Sequence, residues 1–255
     1  MMRTGYSFYA QDIGILVFST TTPRIPGDAG NALSFRYPVC YQIVKGGFAD
    51  LIDGSPEIRE NILDAVEKLK AKGISAVIGD CGLMSLYQQD MAEKLITAAS
   101  SLCQIPLIWQ LIGKKGKIGI ITGHSKLLKE THLLQSGWVP EIPLVIQGME
   151  EEAHFNEIII KGGHALKPEL MEQDVCRACQ KLQVQDKDLR AVLIECSNLA
   201  SFSRTVRDET GLPVFDLIGA ADLIAHSVCP RRYDFYKNRK VLVTGSTGFK
   251  GDDYL

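Results

Sequence analysis

The sequence predicts an α/β protein of two pseudo-symmetric lobes, each a mainly parallel sheet covered by helices on both faces, with the active site in the cleft between them. Three observations carry this. Short runs rich in Ile and Val alternate with longer amphipathic stretches, as expected of buried parallel strands and their crossover helices. Several motifs occur twice in the same order, and each half ends one strand on acid, Cys and a small residue.

Taken in order, the apolar runs at 13–18, 76–79, 107–110, 117–121, 158–160, 191–194 and 214–216 read as strands. The stretches 56–72, 84–102, 125–136, 167–183 and 199–210 carry apolar positions at helical spacing. Asp12-Ile13-Gly14-Ile15 is echoed by Lys117-Ile118-Gly119-Ile120. Ala76-Val77-Ile78-Gly79-Asp80-Cys81-Gly82 is echoed by Ala191-Val192-Leu193-Ile194-Glu195-Cys196-Ser197, and Ile105-Pro106-Leu107-Ile108 by Leu212-Pro213-Val214-Phe215. One such match is commonplace, but three in one order point to a duplicated unit. The expected organisation is a first lobe of residues 1–112 completed by 213–230, a second lobe of 113–212, and a polar tail of 231–255.

The 255 residues carry 28 Lys and Arg against 30 Asp and Glu, a net charge of −2. That offers no general field for nucleic acid or an acidic membrane surface, so a small molecule is the expected partner. No run approaches the 18 or so apolar residues of a membrane helix, and the stretch 13–18 is too short for a signal peptide core. A cytoplasmic protein is expected. Its seven cysteines, odd in number and scattered, are expected to remain thiols.

Cys81 and Cys196 stand at the carboxyl ends of equivalent strands, where open α/β sheets bind ligands. A cysteine in such a place is commonly a small core hydrophobe, but packing gives no reason for both halves to choose it. Two thiols aimed at one ligand from opposite sides suit proton removal from one face of a carbon and proton delivery to the other. Each precedes an expected helix, whose N-terminal N–H groups favour a thiolate. Gly82, Ser197 and Asn198 leave small or hydrogen-bonding groups where a substrate carboxylate would settle.

These residues resemble the aspartate/glutamate racemase superfamily over about 12–228. The resemblance implies two pseudo-symmetric α/β domains, no cofactor, a cysteine after a strand in each half matching Cys81 and Cys196, and a segment after the second cysteine that returns to complete the first domain. It also implies a possible homodimer. Retention of both cysteines looks more like the racemases and isomerases than the similar decarboxylases, which keep one. The loop Thr20-Thr21-Thr22-Pro23-Arg24-Ile25-Pro26-Gly27-Asp28-Ala29-Gly30-Asn31 resembles that of a racemase-like subgroup whose substrates are open. Where glutamate racemases have Asp-Ser after the first strand, this chain has Ser19-Thr20, and the residues following its cysteines are Gly82-Leu83 and Ser197-Asn198.

The expected function is therefore a racemase or epimerase of a small amino-acid-like carboxylate, working by proton transfer between Cys81 and Cys196. The alternatives are cis–trans isomerisation of an unsaturated diacid by a cysteine nucleophile, and carboxylate binding without turnover. Arg24 is the candidate for bidentate contact with the carboxylate, supported by Ser19, Thr20, Asn31 and Thr122. Asp80 and Glu195 precede the thiols, and strand neighbours point to opposite faces, so a structural bond is expected of each. His124 falls near the cleft. Cys176-Arg177-Ala178-Cys179 lacks a second pair for a metal site. The Gly-rich segment 241–251 lacks the βαβ unit that would make it a dinucleotide site.

Overall fold

The computed structural model describes residues 5–6 and 8–231. The Gly-rich segment 241–251, and the expected tail beyond Arg231, lie outside the described residues. Among the described residues eight strands form two four-stranded sheets: β1 (Ile13–Phe18), β2 (Val39–Val44), β3 (Ala76–Gly79) and β4 (Ile96–Ala98) in one, β5 (Lys117–Thr122), β6 (Leu144–Gly148), β7 (Leu189–Ile194) and β8 (Val214–Phe215) in the other. Their spatial orders, β2-β1-β3-β4 and β6-β5-β7-β8, are the same order twice. All neighbours run parallel. Both sheets are covered by helices, the three-layer α/β architecture the alternation of runs predicts.

Four longer helices frame the sheets. α1 (Pro56–Ala71) starts where the Ser55 side chain accepts the Ile58 N–H and Pro56 takes the first turn, a position that needs no donor. It buries Ile58, Ile62, Ala65, Val66 and Leu69, one stripe at spacings of three and four. α2 (Pro168–Gln185) does the same in the second half with Met171, Val175, Ala178, Cys179 and Leu182. The repeated Ile-Gly-Ile finds its reason here. A Cβ on Gly14 would stand 2.6 Å from Leu69, and one on Gly119 would stand 2.8 Å from Leu182, so in each half a glycine lets the central strand and its helix approach. α3 (Ser203–Thr210) follows the second cysteine turn. α4 (Leu217–Val228) is capped by Asp216, which accepts the Gly219 N–H. It lays Leu217, Ala220, Ala221 and Ala225 against Ile13, Ile15, Ala76 and Ile78 of the first sheet. The chain thus adds an edge strand to the second sheet and then crosses to the first.

Several expected elements differ. Residues 107–110 lie in the helix Ile105–Leu111, with Ile105 and Ile108 buried while Leu107 and Leu111 face out; a short apolar run does not by itself distinguish helix from strand. Residues 158–160 form part of a wide helical turn, Asn156–Ile160, where tertiary packing overrides the strand preference of three consecutive Ile. The expected helix 84–102 breaks into a 3-10 turn Gly82–Tyr87, a helix Gln88–Ala92, β4 and a further turn Ser101–Gln104. Likewise 125–136 shrinks to Glu130–Gln135, and the first residues of 199–210 belong to the turn Ser197–Phe202. The strands β2 and β6 are edge strands, half-exposed along most of their length, and interrupted apolar runs hid them. Among the described residues no helix is long and apolar enough to cross a membrane.

Candidate active site

Parallel strands deliver their chain ends to one edge, and here β1, β3, β5 and β7 do so around a single cavity of about 360 Å³. Ser19, Thr20 and Arg24 come from the loop after β1, Asp80, Cys81 and Gly82 from the end of β3, Thr122, Gly123 and His124 from β5, and Glu195, Cys196, Ser197 and Asn198 from β7. Each cysteine is extended backbone immediately before a 3-10 turn, Cys81 before Gly82–Tyr87 and Cys196 before Ser197–Phe202. The change of path turns each side chain out of its sheet and into the cavity.

Bonds across the cleft hold the two halves in register. The Ser197 hydroxyl donates to the Asp80 carbonyl at 2.6 Å, Ser101 donates to the Ile194 carbonyl at 2.8 Å, and the Asn198 amide donates to Asp28 at 2.6 Å. The cavity is therefore built before a ligand arrives. Nearly all of the expected site residues line it; Asn31 does not. The Asn31 amide donates to the Arg24 carbonyl and its oxygen accepts the Leu33 N–H, which fixes the loop carrying Arg24.

Arg24 is engaged on both sides, 2.8 Å from Asp28 and 2.7 Å from Asp80. Burial works against its charge, but the two carboxylates outweigh that and hold it firmly protonated. Its guanidinium is thus taken up as a structural clamp, in place of the open fork expected of it. Burial pushes the Asp80 carboxyl up to about 6, with Arg24 opposing the shift.

Asp80 and Glu195 both line the cavity, which strand alternation argues against. They lie past Gly79 and Ile194, the last paired residues, where alternation no longer applies. Glu195 is buried, with the Thr122 hydroxyl donating to it at 2.7 Å. Burial raises its pKa and that bond resists the rise.

The thiols also depart from expectation. Burial, and then the charge of Glu195, raise the pKa of both Cys81 and Cys196. The N–H groups of Leu83 and Asn198 oppose this but do not prevail. One 3-10 turn of six residues provides less dipole than the full helix expected after each cysteine, and desolvation disfavours the charged form more strongly.

An apolar wall completes the cavity. Phe18, Leu83 and Phe155 are buried parts of it, and Phe48, Ile52, Leu127, Ile159 and Ile160 complete it. Sequence reasoning missed these residues, because 158–160 read as a strand and nothing marked Phe48 as more than surface. The one available signal is the exposure of Phe48 and Ile160 at the mouth, which only the fold reveals. Among the described residues no group of three or more His, Cys, Asp or Glu is placed to hold a metal.

Gly82 is fixed by this arrangement, because a Cβ there would overlap the Glu195 carboxylate. Gly82→Ala is expected to cost about 1–3 kcal/mol and to displace Glu195 from the cavity. Thermal unfolding reads the first effect and substrate turnover the second; an unchanged melting temperature with full turnover would contradict the packing described.

No family model matches the chain. The dimethylsulfoniopropionate lyase of Durusdinium sp. clade D is 34% identical over 211 residues, covering 78% of this chain and 68% of that protein. Dimethylsulfoniopropionate lyases 7 and 3 of Emiliania huxleyi (strain CCMP1516) are 30% and 27% identical, each covering 81% of this chain. The chain spans 64% and 57% of their lengths.

Among solved structures, allantoin racemase from Klebsiella pneumoniae superposes with a TM-score of 0.57 at 14% identity, covering 85% of this chain and 87% of that one. A glutamate racemase from Bacillus anthracis gives 0.54 at 15%, covering 86% and 83%, and unliganded arylmalonate decarboxylase 0.53 at 14%, covering 86% and 92%. The fold is thus shared with racemases and a decarboxylase. The expectation of an amino-acid racemase is corrected by the sequence relatives, which are lyases. A fold and a pair of cysteines do not specify what leaves the carbon after its proton. With a third of its residues identical over most of its length, the chain belongs to the dimethylsulfoniopropionate lyase family.

Proposed function

We propose that this chain eliminates dimethyl sulfide from dimethylsulfoniopropionate, leaving acrylate, with Cys81 and Cys196 as the thiols flanking the reacting carbon. A thiolate takes the proton from the carbon next to the carboxylate. The freed electron pair forms the carbon–carbon double bond, the bond from the β-carbon to sulfur breaks, and its pair leaves on neutral dimethyl sulfide. Proton removal beside a carboxylate also begins racemisation, which explains how one fold serves both reactions. Elimination differs in needing no proton delivered to the opposite face, since the sulfonium departs uncharged.

The observation that carries this reading is two thiols lining one cavity in a member of this family. Support comes from the cavity's two characters. The Ser19 hydroxyl and the N–H groups following each cysteine offer donors for the carboxylate, where negative charge grows as the proton leaves. The apolar wall around Phe48 and Phe155 suits the two methyl groups. The protein incubated with dimethylsulfoniopropionate in a sealed vial should release dimethyl sulfide to the headspace and acrylate to solution in equal amounts. Release no faster than in a protein-free control would overturn the proposal.

A further inference from the structure

The charges of the cavity wall do not balance. Arg24 is already neutralised by Asp28 and Asp80, and no Lys, Arg or His among the described residues is ion-paired with Glu195. Glu195 is 5% exposed, lines the cavity, and accepts the Thr122 hydroxyl, with the Gly123 N–H also favouring its charged form. A carboxylate taken out of water without a cation is costly to keep. The wall itself presents two carboxyl groups, Asp80 and Glu195, against the Arg24 guanidinium and the His124 imidazole, with Asp28 behind Arg24, a poor receptacle for a plain carboxylate.

We propose that Glu195 is the counter-ion of the substrate's dimethylsulfonium group and the residue by which the cavity selects a zwitterion over a simple carboxylic acid. This rests on the lyase reading and deepens it. The substrate brings the positive charge the wall lacks, and its methyl groups meet Phe48, Phe155 and Ile159, where aromatic faces also favour a cation. Gly82, with no side chain of its own, leaves room for the Glu195 carboxylate beside Cys81.

The same placement couples binding to chemistry. After burial, the charge of Glu195 is the largest influence raising the pKa of both thiols. A cation bound against it offsets that share of the shift, so a thiol yields its proton to solvent more readily with substrate bound than in the empty cavity. Once the carbon–sulfur bond breaks, dimethyl sulfide carries no charge, Glu195 is again uncompensated, and the thiol retains the proton it has taken.

The test uses two ligands of the same shape and different charge, 3-(trimethylammonio)propionate and 4,4-dimethylpentanoate, neither with a sulfonium to lose. Titration calorimetry on the full chain should show the ammonium compound binding at least about tenfold more tightly, and thiolate absorbance at 240 nm rising with that ligand alone. In Glu195→Gln the preference should fall below about threefold while the neutral compound still binds, which also shows that the cavity is intact. Equal binding of the two ligands to the unaltered protein, or an unaltered preference in Glu195→Gln, overturns the proposal. Should Glu195→Gln lose its fold, Glu195→Asp decides. Drawing the charge back by one methylene must shrink the preference, and an unchanged one overturns the assignment. Failure of the lyase reading looks different: no dimethyl sulfide from the unaltered protein, with the charge preference and its loss in the variant both present.

Discussion

Loss of the thiol that takes the proton, by Cys81→Ala or by Cys196→Ala, is expected to lower the rate of dimethyl sulfide release by about two to four orders of magnitude, the usual worth of a positioned acid–base group, and loss of the other to lower it less. Both thiols line the same cavity, so either substitution removes a group facing the reacting carbon, and neither opens a large void. Initial rates from headspace chromatography, with circular dichroism to confirm the fold, make the measurement. A variant keeping more than a tenth of the activity would exclude that thiol as the one that takes the proton. The pH profile has a definite sign. Because burial and Glu195 raise both thiols above the ordinary value, kcat/KM, which reports the free enzyme, should still be climbing above pH 8.5. Alkylation of the empty protein by iodoacetamide should likewise stay slow at that pH. A plateau in either by pH 7 would mean that the turns after the cysteines do lower the thiol pKa, as the sequence alone suggests.

The duplication made both the fold class and the cysteine pair legible. Gly14 and Gly119 are small for the same reason, a leucine from the covering helix pressed against each, and a repeat preserved by packing can be read without coordinates. Edge strands β2 and β6 escaped because half-exposed strands mix polar residues into their apolar runs. Residues 107–110 misled because their burial is one-sided, a property of the helix Ile105–Leu111 that four residues do not display. Asp80 and Glu195 were set aside by strand alternation, a rule that stops at the last paired residue. The reaction was hidden for a chemical reason. Racemisation and elimination share their first proton transfer, and what separates them is a leaving group one carbon farther out, which on the proposed reading meets Glu195 and an apolar wall assembled from distant segments.

Arg24→Gln is expected to have the largest effect on stability, because it leaves Asp28 and Asp80 buried with no guanidinium between them. Removing one partner of a buried pair costs about 3–5 kcal/mol. The Arg24 side chain is 20% exposed, so about 3 kcal/mol is the better figure, or roughly 6–12 °C in Tm for a chain of this size. The loss must depend on pH. Asp80 has a folded pKa of about 6 against an ordinary 3.8, so its contribution is most favourable below 3.8 and diminishes as pH rises through 6. Without Arg24, which opposes the rise, the carboxyl protonates at still higher pH and avoids the charge it can no longer pair. Melting curves of the two proteins should therefore lie closer together at pH 5 than at pH 8. Arg24→Lys should fall between them, since one ammonium does not span both carboxylates as a planar fork does. A gap of the same size at both pH values would show that Arg24 stabilises the loop by packing alone. Asp80 would then be only a bystander to the clamp that holds the first lobe's loop against the cavity.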